Sequence, residues 1–494
     1  MTEIAEPPAA PPAATPRRRA LPVLPLLVLG CFALAALSLL LPSVPTQDSW
    51  SWIVWGREVL HFSLDTTSGS SWKPLPVLFT TVFSVFGDAA PGLWLLVARA
   101  GGLLAVLFAY RIAAKLAGRG AGVVAGVVAG FSMLAADWLR YLAHGNVEPL
   151  SAGLVLGAVD RALDGHRHQA AFLAFLASLG RPEIFPFLLA YAVYVFFRRG
   201  TRRVVIAALL LAVPALWLGG DWWGAGDPFY GSSKAAGFKE RQQHRAEAVA
   251  RSGSAGKGLT VSGTPGVGNT LKGAANILMI PTEVGALVGI LFAWRRRRRE
   301  ALALAAAAVV LILVVALMVE LGYGGSPRFL FPAAGLVCVL AGYGVAELSR
   351  SAGGGWRSAA VLALVVAATA PLLVTRVGTF GDRADDIDLR AQLQDHLDQA
   401  VEAAGGGDRL RSLGHARINP SFSHQLAWDL NVPMGDVGPL VYPAVLYDGP
   451  QTHVSPGASP RIPSATNRHV KVTRLAAADD WLIVSVKQVP ASER

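Results

Sequence analysis

Three side chains in this sequence have the types and placement for transfer chemistry on a phosphate-linked substrate. They are Asp48, Lys73 and Arg328, and each lies just beyond an apolar run rather than inside one. A carboxylate near a membrane surface could accept the proton of an attacking hydroxyl. A lysine and an arginine could place positive charge where a phosphate leaving group develops negative charge. Each also has a structural alternative. Asp48 suits an N-cap for a helix starting near Trp50, and cations beside a membrane often snorkel to lipid phosphates. Arg328 follows Gly324-Gly325-Ser326-Pro327, a tight turn that would leave a cation little slack.

Six further residues are candidates for the walls of a substrate site. Glu148 opens an apolar run just after Gly145-Asn146, where a carboxylate could hold a sugar hydroxyl or simply favour the helix dipole. Arg99 sits within an apolar run, and a charge at membrane depth points to a lined cavity. Arg181 and Glu183 flank Pro182 and could face a site or pair with each other. Trp52 belongs to an aromatic row with Trp50 and Trp55, and His144 stands alone in a connecting segment.

The elements that must position these residues are membrane helices. The chain has 494 residues, 53% of them hydrophobic and only 16% charged, with a mean hydropathy of +0.44; soluble proteins carry about 25% charged residues. Several apolar runs approach the roughly 20 residues that span a bilayer. The net charge of +11 does not point to nucleic acid. The basic residues cluster between apolar runs, at 17–19, 198–203 and 295–299, as in cytoplasmic loops. Cys31 and Cys338 both lie within apolar runs, which argues against a disulfide framework or a cysteine metal site.

The expected architecture is an all-α polytopic membrane protein with a small C-terminal α/β domain. Residues 1–20 form a cytoplasmic tail, 21–376 the membrane domain and 377–494 an extracytoplasmic domain. Residues 21–41 suit a retained anchor rather than a signal peptide, because no small-residue cleavage site follows. Residues 42–91 then form a first outer loop, in which 75–86 are apolar but short and suit an interfacial helix. Later crossings fall at 92–110, 121–136 and 147–159. A hairpin of two short runs, 170–179 and 184–197, is broken at Pro182. A crossing at 204–218 leads to a long outer loop, 219–273, and further crossings lie at 277–294, 301–321, 329–346 and 358–373. The total is roughly eleven crossings, with every basic cluster inside and the candidate residues at or near the outer side. Residues 263–270 come close to a phosphate-binding loop, but Asn269 stands where the lysine belongs and no strand precedes it. Beyond residue 376, residues 385–404 read as an amphipathic helix, and 469–473 and 481–487 alternate as strands.

Four stretches, in order, resemble the GT-C class of integral-membrane glycosyltransferases. The nearest branch holds protein mannosyltransferases, bacterial aminoarabinose transferases and actinobacterial arabinosyl- and mannosyltransferases. The first stretch is Gln47-Asp48-Ser49-Trp50 with Gly56-Arg57-Glu58, and the second is Trp72-Lys73-Pro74-Leu75 followed by Phe86-Gly87. The third pairs Gly145-Asn146-Val147-Glu148 with Gly180-Arg181-Pro182-Glu183. The fourth is Ser326-Pro327-Arg328-Phe329-Leu330 with Pro332. The resemblance implies a polyprenyl-phosphate-linked sugar as donor and a lipid or polysaccharide of the cell envelope as acceptor. It implies inverting transfer on the extracytoplasmic face of a bacterial plasma membrane, among membrane lipids. No cofactor is expected, and a divalent cation is not required. Asp48 would then activate the acceptor, and Lys73 and Arg328 would hold the lipid phosphate. The chain departs from the family where Ser49 replaces a second adjacent acid and where Leu75 stands in a Lys-Pro-Pro step. Two other readings share the apolar crossings: a lipid-linked sugar transporter or flippase, and a non-catalytic cell-envelope assembly protein. A transporter would be expected to show internal repeats and polar positions along whole crossings, which this sequence lacks.

Overall fold

Apolar runs of this length bury their backbone polar groups most simply as helices, and in a computed structural model helices make up most of the chain. The structure describes residues 23–490 except 134–135, 199, 238–267, 269–271, 274–276, 324–325, 379, 439, 456 and 465–468. The expected cytoplasmic tail, most of the long loop 219–273 and the loop-like stretch 263–270 therefore lie largely outside the described residues.

Helix α1 (Val23–Ser38) leads to α2 (Gln47–Leu60) and α3 (Pro74–Phe83), the last continued by a short 3-10 turn. Then come α4 (Ala90–Met133), α5 (Ala136–Ala143), α6 (Val147–Leu163) and α7 (Arg167–Gly180). A 3-10 turn, Pro182–Ile184, joins α7 to α8 (Phe185–Phe196), and α9 (Arg203–Ala225) and α10 (Tyr230–Ala236) follow. The membrane part closes with α11 (Ile280–Arg295), α12 (Arg299–Glu320), the 3-10 turn Pro327–Leu330, α13 (Phe331–Ser351) and α14 (Gly355–Gly378).

Each run expected to cross is helical over most of its described residues. Among those residues, five helical stretches are long and apolar enough to cross a membrane. The other expected crossings fall on shorter helices or share the stretch Pro74–Phe131. Within α4 the expected return between residues 110 and 121 appears as a break at Ala117 and Gly118, where Gly118 takes φ +83°. The two halves fold back so closely that a Cβ on Gly122 would meet the Tyr110 carbonyl oxygen at 2.6 Å. Small residues bring helices together elsewhere in the bundle. A Cβ on Gly153 of α6 would lie 2.3 Å from the Gly101 carbonyl oxygen of α4.

The C-terminal part is α/β, as its alternation suggests. Helices α15 (Phe380–Ala403) and α16 (Gly406–Leu413) precede β1 (His415–Ile418), α17 (Ser423–Asp429) and β2 (Ala444–Asp448). Strands β3 (Val470–Ala478) and β4 (Trp481–Gln488) complete a sheet of order β1-β2-β4-β3. β1 and β2 are parallel, and the other pairs are antiparallel. Trp481, Tyr447, Ile483, Leu397 and Leu426 are buried in its core.

This unit is docked on α2. Arg57 donates to the carbonyls of Ala427, Trp428 and Val432 at 3.2, 3.0 and 2.9 Å, joining the Val432 and Asn431 amides that close the end of α17 on the first two. Its guanidinium lies 5.1 Å from the Trp428 ring centre, and Trp50 packs on the same ring. Asp429 lies behind this contact, hydrogen-bonded to the Asp398 carboxyl. Burial, then the facing Asp398, push the Asp429 carboxyl well above its ordinary 3.8. Above that pH the folded state therefore holds a proton that the unfolded chain has lost. Stability from this pair is full below pH 3.8 and falls as pH rises toward the folded pKa. Thermal unfolding of Asp429→Asn should accordingly vary less than the parent between about pH 4 and about pH 7. Parallel pH profiles for the two proteins would contradict this assignment.

Candidate active site

The site begins with the local logic of α2. Its N-cap is Thr46, whose hydroxyl accepts from the Ser49 amide at 3.4 Å. The capping role that Asp48 could have filled therefore belongs to Thr46, and the Asp48 carboxylate turns to other partners. Its Oδ1 accepts from the Ser70 hydroxyl at 2.7 Å and its Oδ2 from Arg328 Nη2 at 2.8 Å. Burial pushes the Asp48 carboxyl up, but Arg328, Lys73 and the Ser70 hydroxyl outweigh it and hold the group well below the usual carboxylate range.

Lys73 stands at the N-cap position of α3 in extended conformation, with Pro74 fixing the first helical residue. Its ammonium lies 4.7 Å from the centre of the Trp52 ring and 3.5 Å from Glu148 Oε1. Burial lowers its pKa against the pull of Glu148. Glu148 lies in the first turn of α6 and is fully buried. The same Oε1 is approached by Arg181 Nη1 at 3.2 Å and by Arg328 Nε at 3.4 Å. Glu148 Oε2, also buried, has no hydrogen-bond partner among the described residues.

Prolines aim the two arginines. Pro182 and Pro327 each open a 3-10 turn at a helix junction, and the arginines stand immediately before Pro182 and after Pro327. Arg181 also pairs with Glu183 at 2.6 Å and lies 3.8 Å from the Phe329 ring centre. Arg328 rests between Tyr141 and Phe329, at 5.4 and 5.7 Å. Three acids and three bases thus form one compensated cluster, drawn from α2, the start of α3, the start of α6 and two proline turns. Three cations around one carboxylate oxygen, backed by aromatic faces, form a nest whose charge and donors could also hold a second anion such as a phosphate.

Two candidates lie apart from the cluster. Arg99 donates to the Ser38 carbonyl and hydroxyl, the Ser43 hydroxyl and the Ala143 carbonyl, fastening the end of α1. His144 Nδ1 bonds to the Val44 carbonyl at 2.8 Å, and burial lowers its pKa to about 3. Both act as struts for the segment leading into α2. Ser70, Tyr141 and Phe329 join the cluster without having been singled out from sequence. Phe329 adjoins Arg328 and Tyr141 lies in the segment before His144, but nothing in the spacing marks Ser70. Lys234 of α10 donates to the Gly69 carbonyl at 2.9 Å and braces the Ser70 loop.

Below the cluster lies an apolar cavity of about 140 Å3, among α6, α7, α8, α12 and α13. Val155, Ile184, Phe187, Tyr191 and Leu311 are among its lining residues. Ile184 follows Glu183 directly, so the cavity abuts the charged cluster.

No protein-family model and no curated protein sequence matches the chain. Among solved structures, ArnT from Cupriavidus metallidurans bound to undecaprenyl phosphate matches with a TM-score of 0.56 at 13% identity, over 94% of this chain and 98% of that one. The apo state of the same protein matches at 0.53, again at 13% identity and the same coverage. The apo oligosaccharyltransferase of Archaeoglobus fulgidus reaches 0.49 at 15% identity, over 83% of this chain and 64% of that one, a likeness too loose to argue from. At these identities the ArnT likeness shows the fold, which is the GT-C fold suggested by the sequence motifs.

Glu148→Ala would leave Lys73, Arg181 and Arg328 facing one another without their shared counter-charge. We expect it to destabilise the solubilised protein by about 3–5 kcal/mol. An added phosphate monoester should raise the unfolding midpoint of the variant more than that of the parent. Equal shifts would mean that the nest does not take phosphate.

Proposed function

We propose that this chain is a membrane glycosyltransferase that takes a sugar from a polyprenyl-phosphate carrier and moves it to a hydroxyl of a lipid or polysaccharide acceptor of the cell envelope. The observation that carries the reading is Arg328, which bridges Asp48 and Glu148 while Lys73 sits on the same Glu148 oxygen. These groups are far apart in sequence, and a transfer site of this kind needs an acid and phosphate-binding cations within one pocket.

In this reading there are roughly eleven crossings, with the cluster on the extracytoplasmic side together with the C-terminal domain, residues 377–494. Chain geometry supports that side. The arginines at 295–299 precede α12, whose 22 residues span about 33 Å before the turn that carries Arg328. The basic segment 198–203 likewise lies at the far end of α8 from Arg181. The positive-inside bias then sets those ends in a bacterial cytoplasm.

The prenyl chain would occupy the apolar cavity, and its phosphate would enter the nest formed by Lys73, Arg328 and Arg181. The acceptor hydroxyl approaches C1 of the sugar, a hexose or pentose, from the face opposite the phosphate. A bond forms from the acceptor oxygen to C1 as the bond from C1 to the phosphate oxygen breaks. The electron pair leaves with the polyprenyl phosphate, the hydroxyl proton passes to Asp48, and the configuration at C1 inverts. The scheme uses no cofactor.

The electrostatics suggest an order. While Arg328 pins it, Asp48 is a weak base. A donor phosphate that draws on Arg328 loosens that pair and raises the basicity of Asp48 toward the range useful for accepting a proton.

The test uses purified protein in liposomes with radiolabelled polyprenyl-phosphate sugars and a cell-envelope acceptor. Asp48→Asn should lower transfer by about 100-fold or more with donor binding retained. Lys73→Ala and Arg328→Ala should weaken donor binding. Near-parent turnover by Asp48→Asn would overturn the scheme.

A further inference from the structure

The C-terminal unit reaches the Asp48 carboxylate through an unbroken line of hydrogen bonds. Ser70 Oγ donates to Asp48 Oδ1 at 2.7 Å. Ser51 Oγ lies 3.1 Å from Ser70 Oγ and also accepts from the Ser70 amide at 3.1 Å. His424 Nδ1 lies 3.0 Å from Ser51 Oγ and 2.9 Å from the Gln47 carbonyl. A carbonyl only accepts, so Nδ1 carries the proton. The imidazole N–H is then shared between the Gln47 carbonyl and Ser51 Oγ, the Ser51 hydroxyl faces both Ser70 Oγ and the Gln47 carbonyl at 2.9 Å, and the Ser70 hydroxyl donates to the carboxylate. Ser51 is fully buried and His424 nearly so, so each group depends on these partners rather than on water. Burial also lowers the His424 pKa, which favours the neutral ring.

His424 is itself firmly placed. It is the second residue of α17, directly after the 3-10 turn Pro420–Phe422. Asn419 caps that turn by accepting from the Ser421 amide at 2.9 Å, and its own amide donates to the Gly457 carbonyl at 2.6 Å. Phe422 packs edge-on against Trp481 at 5.1 Å. The dock itself does not depend on His424. Arg57, Trp50 and the bond from Gln47 to the Pro420 carbonyl at 3.2 Å hold α17 on α2 without it.

We propose that His424 is a positioning residue for sugar transfer, and that the C-terminal unit is thereby part of the active site. Acting through Ser51 and Ser70, it fixes the rotamer of the Asp48 carboxylate, with Oδ1 committed to Ser70 and Oδ2 turned toward Arg328 and the acceptor. The proposal rests on the reading of Asp48 as the group that takes the acceptor's proton.

The experiment uses the full chain in liposomes with a polyprenyl-phosphate sugar as donor. His424→Phe removes the donor N–H. It should lower kcat by about 10- to 100-fold while donor KM stays within about twofold, since the phosphate nest is untouched. His424→Asn places an amide N–H near the Nδ1 position and should recover most of the rate. His424→Gln places it one bond further and should not. His424→Phe combined with Ser70→Ala should be no slower than Ser70→Ala alone, because both break the same line. If His424→Phe does not fold, the Asn and Gln variants decide the matter, and equal rates for the two overturn the proposal. Parent-like kcat in both His424→Phe and His424→Gln, with Asp48→Asn inactive, overturns the positioning role and leaves the transferase reading standing. An active Asp48→Asn, or a parent that transfers from no such donor, overturns that reading and the proposal with it.

Discussion

A fully buried carboxylate, Glu148, holds three cations on one of its oxygens, and the architecture around it follows from the cost of that arrangement. Unpaired charges in a low-dielectric interior are expensive by several kcal/mol each. Lys73, Arg181 and Arg328 can remain charged there because Glu148, Glu183 and Asp48 compensate them. Each of these side chains hangs from a helix end or a proline turn, so five chain segments must close on one point. The rest of the bundle, packed backbone to backbone at Gly101 and Gly153, fixes those ends in place. Trp52, Tyr141 and Phe329 line the cations with aromatic faces that hold them without adding charge.

The charged cluster and the apolar cavity beneath it suit the two halves of a lipid-phosphate ligand. A phosphate needs dense, pre-oriented positive charge, whereas a prenyl chain needs only apolar surface. In the proposed reaction the same cations that bind the donor also restrain Asp48, so occupancy by the donor and readiness of the base are linked through Arg328. The C-terminal unit takes part in this linkage because α2 carries Asp48 and Ser51 on faces turned toward the cluster and toward α17.

Much of this was legible in the sequence where the governing physics is local or periodic. Apolar runs marked the helices, and the sign of the flanking residues marked their ends. The return between residues 110 and 121 could be read from Arg111, Lys115 and Arg119 between two apolar runs, and the interruption at Arg181-Pro182-Glu183 from proline, which disturbs a helix wherever it falls. β3 and β4 showed their period of two, whereas β1 and β2 are only four and five residues long and left too little pattern to detect. Asp48, Lys73 and Arg328 stood out as charges beside apolar runs, and they do meet. The same rule also selected Arg99 and His144, whose partners prove to be backbone carbonyls and serine hydroxyls of the α1–α2 segment. Sequence pattern registers that a polar group is out of place but not which neighbour satisfies it. For that reason Ser70, Ser51 and His424 gave no signal: a hydrogen-bonded line through three separate segments has no spacing of its own.

The central claim is that Lys73 and Arg328 exchange part of their hold on Glu148 and Asp48 for the phosphate of a polyprenyl lipid. Cryo-electron microscopy of the full chain in nanodiscs with a polyprenyl phosphate tests it most directly. The expected map places the phosphate within hydrogen-bond reach of both Lys73 and Arg328, with the prenyl chain running past Ile184 and Phe187. A lipid phosphate bound elsewhere, with both cations still closed on the Glu148 oxygen, would contradict it.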